Sequence, residues 1–110
     1  MTPRIVLLTV LTVFLTTACS FVDKTSGGEK VRVLAIDEVK SCRKLGTTST
    51  SVLDNLAGIP RPQETIEEEL RTVASNSASK MGGDTIVPAT TAVEGQQTFH
   101  VYKCVDPNAA

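Results

Sequence analysis

Three cysteines and one histidine, Cys19, Cys42, Cys104 and His100, are the side chains of this 110-residue chain best suited to acyl, disulfide, redox or metal chemistry. Their surroundings limit what each can do. Cys19 ends "FLTTACS", where a nearly unbroken apolar run gives way to polar sequence. Cys42 sits in "VKSCRK", and the positive charge of Lys40, Arg43 and Lys44 favours a thiolate over a thiol. Cys104 follows 62 positions later in "YKCV". His100 precedes it by four, a metal-ligand spacing on a helix, but four residues of strand cover about 13 Å, too far to converge on one ion.

The setting of Cys19 is the most specific of the three. Met1 to Arg4 supply a short positive region, Ile5 to Leu15 an apolar core, and Thr16, Thr17 and Ala18 a small-residue exit, which together form the anatomy of a secretory signal. From Ile5 to Ala18 there are 14 residues, short of the roughly 20 that a spanning helix needs. "LTTAC" resembles the bacterial lipobox, in which the chain is cut before a cysteine that then carries diacylglycerol and an amide-linked acyl chain. Ala18 and Cys19 match it, while Thr16 stands where leucine is usual and Leu15 lies one step further out. The alternative is an ordinary signal that leaves Cys19 as a free thiol, a liability in a secreted chain. Lipidation at Cys19 also resolves an odd cysteine count, leaving Cys42 and Cys104 as a pair.

Several acyl chains anchor stably because each buried methylene contributes about 0.8 kcal/mol. Ser20, not aspartate, after the cysteine is similar to an outer-membrane sorting address, so the expected location is the periplasmic face of the outer membrane. Loss of residues 1–18 removes Arg4 alone among the charges, taking the side-chain balance from −1 to −2. Such a balance gives no reason to expect a nucleic-acid partner or strong electrostatic attachment to lipid. "SFVDKTSGGE", Ser20 to Glu29, reads as a flexible tether reaching about 17 to 19 Å. The expected organisation is therefore a signal over 1–18, a lipidated tether over 19–29 and one small domain over 30–110.

Within that domain the hydropathy pattern sets out the elements. "KVRVLAI", Lys30 to Ile36, alternates with β-branched residues and predicts a strand, and Arg43 to Leu53 predicts a second. "DNLAGIPRP" predicts a loop without regular structure. From Gln63 to Met81, Ile66, Leu70, Val73, Ala74, Ser77, Ala78 and Met81 recur at three and four, one face of a helix. Thr65 with Glu68 fits a capping box, Glu64 to Glu69 suit the positive end of the helix, and Lys80 with Gly82 fits its end. "TIVPA", Thr85 to Ala89, predicts a strand that Pro88 pushes to an edge or an end. Gln97 to Val105 alternates, with Phe99 and Val101 on one side and His100, Tyr102 and Cys104 on the other. The order ββαββ predicts a two-layer α+β domain, one helix on a four-stranded sheet.

In a small exported domain, Cys42 and Cys104 read first as a structural disulfide joining the early and late strands. The alternative is a reactive pair serving a redox or metal stress sensor, against which stands the lack of a CxxC motif. No catalytic residue, cofactor site or metal site is expected. "GGDT" follows the helix instead of preceding one, so amide dipoles do not face an anion there.

"VKSC" at 39–42, "LG" at 45–46, "LRTVASNSASKMGGDTIV" at 70–87 and "YKC" at 102–104 together resemble a family of small proteobacterial envelope lipoproteins with no assigned activity, and more distantly the RcsF envelope-stress lipoproteins. The resemblance spans roughly Val31 to Cys104. It implies a compact α/β unit; RcsF-like domains hold theirs with two disulfides and carry a long proline-rich linker besides, whereas one cysteine pair and no such linker occur here. The expected function is a non-enzymatic, lipid-anchored module that binds another envelope component, with the membrane as one partner and an envelope protein as the other.

Overall fold

The computed structural model describes residues 23–105. Cys19 and the signal lie outside the described residues. Among the described residues the strands and the helix follow in order: β1 (Arg32–Val33), β2 (Arg43–Ser51), β3 (Asn55–Leu56), β4 (Ile59–Pro60), α1 (Gln63–Lys80), β5 (Thr85–Pro88) and β6 (Gln96–Lys103). One sheet runs β1-β5-β6-β2, with β1 parallel to β5 and the other pairs antiparallel, and β3 with β4 forms a separate hairpin. The helix packs on one face of the four-stranded sheet, the expected two-layer α+β arrangement. No helix among the described residues is long and apolar enough to cross a membrane.

The helix forms where the spacing places it because Ile66, Leu70, Ala74 and Ala78 recur every fourth residue and all become buried. Opposite them lie Ile86, Phe99 and Val101. Alanines at 74 and 78 bring the helix close, and Ser77 Oγ meets Thr48 Oγ1 of β2 at 3.0 Å. Residues 46, 48 and 50 of β2 face inward while 47, 49 and 51 are exposed, so this Thr-rich strand keeps its alternation. The buried Thr50 hydroxyl donates to the Gln97 carbonyl at 2.7 Å.

The helix ends differ from each other. Pro62 is the N-cap and no side chain caps it, so the expected Thr65–Glu68 box does not form. The chain enters the helix early enough that Thr65 lies inside the first turn, its amide bonded to the Pro62 carbonyl. At the other end Gly82, at φ 84°, lets Gly82 N–H reach the Ser79 carbonyl and Gly83 N–H reach the Ala78 carbonyl. This paired closure satisfies carbonyls that the helix itself leaves open.

Two of the expected elements are corrected. The strand predicted over Lys30–Ile36 shrinks to β1, two residues long, between 3-10 turns at Gly28–Lys30 and Ile36–Glu38. Glu38 Oε1 accepts the Ala35 amide at 2.8 Å and turns the chain out of the sheet, leaving Val33 exposed. Residues 54–62 are not an irregular loop: Asn55 pairs with Pro60 and Leu56 with Ile59 around Ala57 and Gly58, both at positive φ. That is the backbone a tight two-residue hairpin requires. Of the two placements that Pro88 allows its strand, the structure takes the end: β5 is interior to the sheet, with Thr85, Ile86 and Val87 buried and Pro88 its last residue. Pro88 is tolerated because it ends the strand, beyond the two residues paired with β1.

Candidate functional site

At the end of the sheet where β2 starts and β6 finishes, Cys42 and Cys104 form a disulfide, S–S 2.11 Å, with Cα atoms 4.4 Å apart. The position follows from register. Arg43 faces Lys103 across the two strands, so the next pair outward is Cys42 with Cys104. Side chains directly opposite on antiparallel strands have Cα separations of about 4.5 to 5.5 Å, within a disulfide's reach. The bond packs with Leu34, Val39, Val87 and Tyr102, a second apolar cluster on the face opposite the helix. It closes a loop containing the hairpin, the helix and β5, worth about 4 kcal/mol in the chain-entropy account.

The "GGDT" sequence serves the same corner. Gly83 approaches Val101 so closely that a Cβ would collide with it. Asp84 then offers Oδ1 to the Cys104 amide and Oδ2 to the Val105 amide, both at 2.8 Å, and accepts the Thr85 hydroxyl on Oδ1 at 2.9 Å. Burial pushes the Asp84 pKa up, but these hydrogen bonds and the charge of Lys103 outweigh it and hold the carboxyl below its ordinary value. The carboxylate is thus a clip fastening the end of β6 beside the disulfide.

His100 lies on β6 opposite Thr47 and Val87, with Nδ1 buried and without a hydrogen-bond partner among the described residues. Cys104, four residues on, has its sulfur committed to Cys42. No group of three or more His, Cys, Asp or Glu side chains among the described residues is placed to hold a metal ion.

Two arrangements were not expected from sequence. Glu69 is not a solvated helix-end acid: it is 2% exposed and paired in a two-pronged contact with Arg61, at 3.0 Å and 2.6 Å. Arg61 also donates to the Leu53 carbonyl at 2.6 Å, tying the base of the hairpin to the helix. The signal was present in the sequence, since Glu69 falls three residues after Ile66, on the inward stripe where a charge needs a partner.

The second lies in the stretch read as a tether, which is docked from Asp23 onward. Asn76 accepts the Thr25 amide and hydroxyl on Oδ1, at 2.9 and 3.2 Å, and donates from Nδ2 to the Asp23 carbonyl at 3.0 Å. Side chains at Gly27 and Gly28 would collide with Ser79 Oγ and Asn76 Oδ1. The two glycines therefore allow close backbone contact with the helix, not slack. Val31, next along, enters the main core.

A family model matches residues 22–104, a span that takes in the docked strap, the helix, the Asp84 clip and both cysteines of the disulfide. The chain belongs to the DUF4156 family, a domain of unknown function. No curated protein and no solved structure matches it. The DUF4156 boundary at 22 coincides closely with the docked strap at Asp23, so the family's domain begins before the Lys30 start expected from hydropathy.

Proposed function

We propose that this DUF4156 chain is a lipid-anchored envelope module that binds another envelope protein, held through Cys19 at the periplasmic face of the outer membrane. The observation that carries the binding role is at the hairpin end of the domain, where Leu53, Leu56, Ile59 and Val93 are 55%, 45%, 69% and 59% exposed. They gather there because Arg61 holds Leu53 at the hairpin base, and Val93 pairs with Gln96 at the start of β6, whose neighbour Gly95 accepts the Val52 amide. Scattered apolar residues are ordinary on a surface, but several at one end are the usual mark of an interaction site. The distant similarity to RcsF-type lipoproteins belongs to the same proposal: a small disulfide-held α/β unit presented to a partner from a lipid anchor.

The test compares the full chain with Cys19→Ala and with Leu56→Ser/Ile59→Ser after acyl-chain labelling and membrane fractionation. Cys19→Ala is expected to lose label and leave the membrane. The hairpin variant is expected to keep both and to lose a cross-linked envelope protein that the parent chain retains. Membrane retention without label would overturn the anchor, and a cross-linking pattern indifferent to the hairpin would overturn the binding end.

A further inference from the structure

The basic residues around Cys42 have no thiolate to activate once the disulfide forms, and the structure groups them with others. Arg43 and Lys103 lie directly across from each other on β2 and β6, Lys44 is opposite Tyr102, and Lys40 is on the turn leading into Cys42. Lys80 ends the helix, whose closing glycine abuts Val101 and the Tyr102 carbonyl at the same end of the sheet. Like charges directly opposite on neighbouring strands are unfavourable. Among the described residues none of these five makes an ion pair, the one such pair being Arg61 with Glu69. Asp84 lies near enough to Lys103 to sense its charge, yet its two oxygens are taken by the Cys104 and Val105 amides. Asp54, Glu64, Glu67, Glu68 and Glu94 lie toward the hairpin end, with the helix N-terminus and the start of β6. Asp37 and Glu38 lie in the turn before Lys40, with Glu38 bonded to the Ala35 amide. Counted with Asp84, the acids near the basic end number three against five cations and leave it net positive.

The strap ties this polarity to the anchor. It contacts the helix at Asn76 and Ser79, within the last two turns and close to Lys80, and not at the acidic N-terminal end. Cys19 is four residues from Asp23, at most about 14 Å of extended chain. We infer that the basic end of the sheet, Lys40, Arg43, Lys44, Lys80 and Lys103, is a docking surface for the anionic phosphate headgroups of the bilayer that holds the anchor, which rests on the lipidation proposed above. The domain then stands with its basic end on the lipid and its apolar hairpin directed away, toward a partner.

The mature acylated chain is inserted into vesicles of phosphatidylcholine alone or of phosphatidylcholine mixed with phosphatidylglycerol. Its lysines are labelled with an impermeant amine reagent and counted by mass. On the anionic vesicles Lys40, Lys44, Lys80 and Lys103 are expected to react several-fold more slowly, and high salt, which shortens screening to about 3 Å, should restore their rates. Arg43→Glu/Lys44→Glu should abolish the difference at Lys80 and Lys103, each cation contributing about fivefold to lipid affinity. The melting temperature should hold, because Arg43→Glu turns a like-charged cross-strand pair with Lys103 into an opposite-charged one. Equal rates on the two vesicles, protection that survives high salt, or protection that survives the double reversal would each overturn the inference. Protection on neutral vesicles only after adding an envelope protein would also overturn it, in favour of a protein partner. Vesicle flotation separates the two readings: a chain that does not float fails the anchor, whereas one that floats without charge-dependent protection fails only the docking surface.

Discussion

On the helix side of the sheet, Leu70, Ala74, Ala78, Ile86, Phe99 and Val101 are all at 0% exposure, whereas the other side has Val39, Val87 and Tyr102, at 4%, 2% and 8%, grouped about a disulfide. The helix side closes by apolar packing, each large side chain contributing about 1.5 to 3 kcal/mol on burial. The open side has no second helix among the described residues and too few apolar residues to close that way. Its stability comes from links of other kinds: the covalent bond, the Asp84 clip on two amides, and the turn through Glu38. A small domain with one helix covers one sheet face with side chains and must fasten the other by connections.

If that contrast holds, substitutions on the helix side should be the more damaging. Leu70→Asp puts a carboxylate at a fully buried position and should cost at least about 5 kcal/mol, near the whole stability of a small domain. Glu68→Ala, close by in sequence but exposed and uninvolved in capping, should stay within about 0.5 kcal/mol. Thermal melts of the two decide whether the face is assigned correctly, and equal shifts would break the comparison. Glu69→Ala belongs with Leu70 despite its polarity, because it leaves Arg61 at 7% exposure without its carboxylate. Its expected cost is about 3 to 5 kcal/mol, read by denaturant unfolding.

The disulfide tests the open side. Cys42→Ser/Cys104→Ser should lower stability by about 2 to 4 kcal/mol while leaving the helix-side core intact in hydrogen exchange. Titration of the folded chain in glutathione buffers, with alkylated thiols counted by mass, distinguishes a staple from a switch. A staple resists mild reductant while the domain is folded. Ready, reversible reduction with retained structure would turn the bond into a redox sensor flanked by Lys40, Arg43 and Lys44.

A smaller effect on the open side concerns Asp84, whose folded-state pKa lies below its unfolded value. Its contribution is present above the unfolded pKa, near 4, and disappears as pH falls through the lower folded value. Asp84→Asn should therefore cost about 1 to 2 kcal/mol at neutral pH, with the gap to the parent chain narrowing below about pH 4. A gap independent of pH would mean that the clip works by shape and not by charge.

Much of this was readable in the chain because the signals were local or periodic. Ile66, Leu70, Ala74 and Ala78 announce the helix through spacing alone, and Phe99 with Val101 announces the inward side of β6. The cysteine pairing followed from the count and from the expectation of an exported chain, without register. Misreadings arose where a short-range pattern met a distant partner. Lys30 to Ile36 alternates like a strand, yet Glu38 ends it; Glu69 looks like one acid of a solvated run, yet Arg61 lies eight residues before it. Gly27 and Gly28 look like slack because glycine frees the backbone, yet here the missing side chains permit contact with Asn76 and Ser79.

Composition and periodicity alone determined the helix and its buried stripe, the alternation of β2 and β6, and the single cysteine pair left once Cys19 is set aside, since each depends on residue types within a few positions or on a count. Only the tertiary structure decided that β5 is interior, that Asp84 fastens the end of β6, that the strap is docked, and that cations from residues 40, 43, 44, 80 and 103 share one end of the sheet. Those facts depend on strand order and register, which bring together residues up to about sixty positions apart, and a near-neutral total charge contains no record of where its parts will meet.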